Sequence, residues 1–238
     1  MPESPVTGRL ARLRQQHAAP LLLELDLTEG ISETRPADPV SAILGTGLSF
    51  GQLTICVLGV LVVSNEYSTG LIRASLLAVP RRYPMLIAKA VIFAAIVLVI
   101  GELASFGSFF VGSAILHSHA PVSLSDPGVT RAVLGAGLYL TVLGWFSMAI
   151  GGLLRHTAGA ITTAIGVIFV APIIAAFLPS SWGQHVRDYL PSVSGQMITQ
   201  AHQNATQVLS PWQGFGVFCL WTVVLLGGAF WLLQRRDA

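Results

Sequence analysis

The chain has 238 residues, 53% of them hydrophobic and 10% charged, with a net charge of +2 and a mean hydropathy of +0.70. Soluble domains carry about 25% charged residues. Too few charges are present here to cover a water-facing surface, which excludes a soluble globular protein and leaves one membrane domain of five or six helices. Residues 1–38 stand apart. They hold Arg9, Arg12, Arg14 and Arg35 against Glu3, Glu24, Asp26, Glu29, Glu33 and Asp38. Their apolar run, Ala18 to Leu23, is too short to span a bilayer or to serve as a secretory core. Positions 9–28 suit a short surface helix, and the segment is expected to be irregular or interfacial.

Residues 39–238 read as a transmembrane domain. From Val40 to Val63 there is no charge, enough to cross a hydrocarbon core of about 30 Å. Further spans are predicted at about 88–116, 132–154, 158–178 and 215–233. The expected fold is all-α, a polytopic bundle of about five transmembrane helices. Gly45, Gly47, Gly51 and Gly59 mark the first span as one that packs closely against neighbours. Cys56 and Cys219 fall inside apolar runs and read as small buried residues.

Arginine and lysine placement sets the expected orientation. Arg73, Arg81, Arg82 and Lys89 flank the 64–87 loop, Arg155 sits in the turn after the third span, and Arg235 and Arg236 close the chain. The other side offers Arg131 and Arg187. The first group is therefore expected in the cytoplasm. The segment 179–213 is expected outside, with Trp182, Val186, Tyr189 and Leu190 at the interface while Gln184, Arg187 and Asp188 face water.

The segment between the first two spans carries the most information. Ser68 or Thr69 can cap a helix start, and Pro80 ends it. Ile72, Leu76 and Val79 make one apolar stripe, with Arg73 on another face. Glu66, Gly70, Leu76-Leu77, Pro80 and Lys89 together form a Glu-x-x-x-Gly … Leu-Leu-x-x-Pro … Lys arrangement that resembles ABC-2 type transporter permeases of an actinobacterial kind. Asp38-Pro39 with Gly51-Gln52-Leu53, Asp126-Pro127-Gly128, the run Leu154 to Ala160, Leu178-Pro179, Ser210-Pro211-Trp212 and the terminal Arg235-Arg236-Asp237-Ala238 extend the resemblance over roughly 38–238. It implies the permease subunit of an ABC exporter in the cell membrane, multi-pass and without catalysis of its own. Its implied partners are a separate cytoplasmic P-loop ATPase and a second permease chain, identical or not. Glu66, Gly70, Ile72, Arg73, Leu76, Val79 and Pro80 would then form the ATPase-coupling element. Members of that family usually have six spans, the first directly after a cytoplasmic N-terminus. This sequence departs there.

Glu102 lies near the middle of the second span, where a carboxylate is costly and is a functional candidate by default. Gly101 and Ser105 beside it suggest a face turned into the bundle. The bland alternative is a protonated or Ser-paired side chain that helps packing. His156 reads as a solvated loop residue. His117, His119, His185 and His202 have no metal-ligand spacing, so no metal is expected. No phosphate-cradling GxxxxGK[ST] exists, so the chain is not itself the ATPase. No cofactor and no nucleic acid are expected. Two other classes remain open: a membrane-embedded hydrolase or lipid-modifying transferase, for which Ser105 and Ser108 are the nucleophiles on offer, and a non-transporting anchor or immunity factor.

Overall fold

A computed structural model describes residues 39–68, 82–116, 123–154, 156–177, 180–202 and 207–236. The 1–38 segment lies outside these. Every regular element among the described residues is helical. The long ones are α1 (Pro39–Ser68), α2 (Arg82–Leu116), α3 (Val129–Leu154) and α8 (Pro211–Arg236). The fourth span is composite: α4 (Thr157–Ile165), a π-helical turn (Gly166–Val170) and α5 (Ala171–Ala176). Before α8 come the short helices α6 (Ser180–Asp188) and α7 (Pro191–Gln196) and a 3₁₀ turn (Met197–Thr199). Among the described residues, five helical stretches are long and apolar enough to cross a membrane, Gly47–Asn65, Ile87–Ala114, Val129–Leu154, Thr157–Ala176 and Pro211–Leu232. The protein is a multi-pass, all-α membrane protein.

α3 is the hub. Most of its residues are buried, whereas the other four spans turn much of their surface outward. Small residues let the neighbours approach. A β-carbon on Gly59 of α1 would stand 2.7 Å from the Gly144 carbonyl oxygen. One on Gly101 of α2 would stand 3.2 Å from the Gly137 Cα. Without a hydrophobic force between helices in lipid, such close contact supplies the dispersion energy of association. The main core joins Cys56 and Val60 of α1 to Tyr139, Leu143 and Phe146 of α3, Ile168 of the π turn and Phe218 of α8. Phe218 packs against Tyr139 and Phe146, with ring centroids 5.5 and 5.7 Å apart.

Local chemistry fixes the helix ends. Ser210 and Gln213 cap α8 reciprocally. The Ser210 N–H donates to Gln213 Oε1 at 3.0 Å and the Gln213 N–H to Ser210 Oγ at 3.4 Å, with Pro211 at the first helical position where its missing donor costs nothing. His156 caps α4, its Nδ1 accepting from the Gly159 N–H at 3.4 Å. The fourth span, expected at about 158–178, is interrupted by the π turn, and Pro172 explains why. Proline returns no N–H and crowds the preceding turn. The backbone widens just before it, and the Ala171 N–H donates to the Gly166 carbonyl five residues back, as in a π-bulge.

Candidate functional site

Two ends of the bundle matter. At one end lie the C-termini of α1, α3 and α8 and the N-termini of α2 and α4. Of the basic residues in the described elements, Arg82, Lys89, Arg235 and Arg236 belong to this end, and Arg131 and Arg187 to the other. Of the coupling residues expected there, Gly70, Ile72, Arg73, Leu76, Val79 and Pro80 lie outside the described residues. Glu66 belongs to the last turn of α1, with its side chain undescribed.

The opposite end is closed by the chain that precedes α8. The expected picture was an amphipathic segment lying on the surface. The structure corrects it beyond Asp188. After α6 the chain turns into the bundle through α7 and the 3₁₀ turn, and Pro191, Ser194, Gly195, Met197 and Ile198 are buried. This wedge runs alongside α3. Gly195 lies against Tyr139 and Phe218, Ile198 against Gly135, and Ala201 against Gly128. Asp188, expected to face water, is also buried, and its Oδ2 accepts the Val208 N–H at 3.0 Å. A carboxylate paired with a backbone donor is thereby compensated on burial. Arg187, Val186 and Tyr189 are exposed, and the Tyr189 carbonyl accepts from Trp221 Nε1 at 3.1 Å.

Two polar devices hold the wedge. At its upper edge Arg131 donates through one guanidinium nitrogen to the Gln200 and Ala201 carbonyls, at 2.9 and 3.1 Å. Deeper in, Gln196 Nε2 donates to Gln52 Oε1 of α1 at 3.0 Å and lies 3.5 Å from the Tyr139 hydroxyl of α3. Gln52 is 3% exposed and Tyr139 fully buried, so this amide contact ties three elements together where no water competes. None of the three was selected as a site residue from sequence. The readable signal was Gln52, an amide inside an otherwise apolar span that needs a partner in lipid.

This contact makes a prediction. Gln196→Leu or Gln52→Leu alone strands a buried amide and is expected to cost about 1–3 kcal/mol. The double substitution removes both partners and is expected to recover most of that loss. Unfolding in a denaturing-detergent titration measures all four states. Strictly additive losses would show that the two amides do not interact.

Glu102 sits where α2 crosses α3. Its carboxyl packs over Gly137, and a β-carbon there would stand 2.5 Å from Oε1. Its Oε2 is buried and has no hydrogen-bond partner among the described residues. The Ser-paired alternative is not what the structure contains, because Ser105 donates instead to the Val133 carbonyl at 2.7 Å. That bond also commits one of the two serines a hydrolase reading would use. No group of three His, Cys, Asp or Glu side chains converges among the described residues.

At the basic end lies an apolar chamber of about 230 Å³ between α1, α2, α3 and α8. Comparison of the chain with protein-family models, curated proteins and solved structures returned no match. The described residues thus establish a polytopic helical membrane protein with a hub helix, an inserted wedge at one end and an apolar chamber at the other.

Proposed function

We propose that this chain is the membrane-spanning permease subunit of an ABC exporter, driven by a separate cytoplasmic P-loop ATPase and working with a second permease chain. The carrying observation is the Glu66 to Lys89 pattern and its place between two spans. α1 continues to Ser68, three residues beyond the apolar stretch that ends at Asn65, and α2 begins at Arg82, five residues before the one that starts at Ile87. At 1.5 Å per residue these extensions add about 4.5 and 7.5 Å. They put Ser68 and Arg82, the described residues on either side of 69–81, beyond the apolar stretches, which supports a connection accessible to a soluble partner.

Leu76→Asp is the test. Burying an anchor of this size contributes about 1.5–3 kcal/mol, and about 1.4 kcal/mol is a factor of ten. Charging it is expected to weaken ATPase co-purification ten-fold or more, at matched membrane expression. The ATPase partner's hydrolysis should lose its dependence on the permease. Unchanged co-purification and unchanged coupling would remove the 68–80 segment from the mechanism. That result would leave it an ordinary basic connection.

A further inference from the structure

We propose that the apolar chamber at the basic end is a binding site for one anionic phospholipid of the adjacent leaflet, with an acyl chain in the chamber and the headgroup at the arginine-bearing helix ends. The inference is independent of the exporter reading.

The chamber comes first. Its walls include Val63, Ala90, Trp145, Gly152, Ala229 and Phe230, drawn from four helices. Among the described residues on its wall, the one side-chain hydrogen-bond donor is the indole N–H of Trp145, already donated to the Ala90 carbonyl at 3.0 Å. Nothing on the wall asks for a polar guest. At about 230 Å³ the space exceeds the ~150 Å³ of apolar cavities that stay dry and take up hydrocarbon guests. It lies at membrane depth, and Ile87 and Val91 on the α2 side are 52% and 55% exposed. The side of the chamber therefore opens to the bilayer, and the hydrocarbon at hand is an acyl chain.

The charge comes second. α2 starts at Arg82 and α8 ends with Arg235 and Arg236. These are two of the helices that wall the chamber. Arg82 precedes Ile87 by five residues, and Arg235 follows Phe230 by five. At 1.5 Å per residue both intervals are about 7.5 Å along the helix axis. The backbone positions of Arg82 and Arg235 thus stand at similar distances beyond the chamber-lining residues of their own helices, and Arg236 is one residue, about 1.5 Å, farther on. No acidic residue occurs in α2 before Glu102 or anywhere in α8, and Glu66 in the last turn of α1 is the one acidic residue on the described helix ends there, so their net charge stays positive. Basic clusters between helix ends favour anionic headgroups, each arginine contributing about 1 kcal/mol near the surface. A zwitterionic lipid would fit the chamber equally well but would gain no net charge pairing. The combination selects an anionic one.

Trp145 gives the assay. Purified protein is placed in phosphatidylcholine vesicles containing a minor fraction of phosphatidylglycerol. Bromine is carried on the acyl chains of either lipid, at the same mole fraction. The quenching of wild type minus that of Trp145→Phe isolates the chamber wall from the other tryptophans. Brominated phosphatidylglycerol is expected to quench Trp145 more strongly than brominated phosphatidylcholine. Each arginine replaced by alanine should lower that preference about five-fold, equivalent to about 1 kcal/mol. Filling the chamber should bring phosphatidylglycerol quenching down to the level of phosphatidylcholine. Gly152→Leu does this, since a β-carbon there meets Ala229 and Val63 at ordinary distances of 3.6 and 3.9 Å. Ala90→Leu is the second such variant, should the first not remain monodisperse. Equal quenching by the two lipids would overturn the site and leave unselective bilayer contact. A preference that survives Arg82→Ala, Arg235→Ala and Arg236→Ala together would overturn the headgroup assignment. No quenching by either lipid would mean another protein segment covers the chamber, and would overturn the proposal as a whole.

Discussion

Gly59→Val is expected to disrupt the bundle more than any other single substitution in α1. The β-carbon would stand 2.7 Å from the Gly144 carbonyl oxygen and 2.9 Å from the Ser147 Cβ. The first obstacle is backbone of the hub helix, so no rotamer change relieves it. Overpacking a well-filled core costs about 1–3 kcal/mol, and a rigid neighbour places this case at the upper end. That corresponds to about a hundred-fold loss in the folded population ratio. Unfolding in a denaturing-detergent titration, with monodispersity after purification, measures it. Gly45→Val is the control, because among the described residues nothing lies within 4 Å of its β-carbon position. Equal effects from the two substitutions would mean that α1 is not held to α3 at Gly59.

Gly128→Ala is the second large effect expected, from a different cause. Gly128 has φ +86°, in the turn that launches α3. An L-residue with a side chain pays about 1–2 kcal/mol for that conformation. A β-carbon would also run into the Ala201 carbonyl, the same oxygen that accepts from Arg131. The substitution therefore strains the turn and pushes the exit of the wedge away from its anchor. Gly128→Asn separates the causes, since asparagine tolerates positive φ better than alanine but collides equally. A thermal stability ranking of Gly128, then Asn, then Ala is expected. If Asn restored full stability, the collision with Ala201 would carry no energy.

The spans were legible because absence of charge over sufficient length is a nearly sufficient condition for crossing a bilayer. Their ends were less so. α2 was expected from 88 and begins at Arg82, since Pro84 lies in its first turn, where proline leaves no intrahelical bond unmade. α3 was expected from 132 and begins at Val129. Arg131, which reads as a boundary, is used instead to bind carbonyls of the wedge. The wedge itself was illegible. Pro191, Ser192, Ser194, Gly195 and Gln196 have the composition of a surface loop. They can enter the bundle because α7 and the 3₁₀ turn satisfy much of their backbone internally, and Gln52 and Tyr139 meet the amide that remains. Glu102 was recognisable as a costly residue, but its seat over Gly137 depends on how two helices cross, which no local pattern encodes. The π turn had a visible cause in Pro172. Its form did not follow from that residue alone, because a kink would have answered the same constraint.

The hub position of α3 also bears on how the protein is made. Synthesis proceeds from the N-terminus, so α3 enters the bilayer when α1 and α2 are its available neighbours. The face that carries Tyr139 and Phe146 then waits for Phe218 of α8. The seat of Ile198 at Gly135 waits for a segment nearly as late. During that interval the Tyr139 hydroxyl and the Arg131 guanidinium lack the wedge partners that the finished protein supplies. The half-made bundle thus holds the Tyr139 hydroxyl without its amide partner inside the span and Arg131 without its carbonyls at the helix start, and both are paired once the wedge is seated.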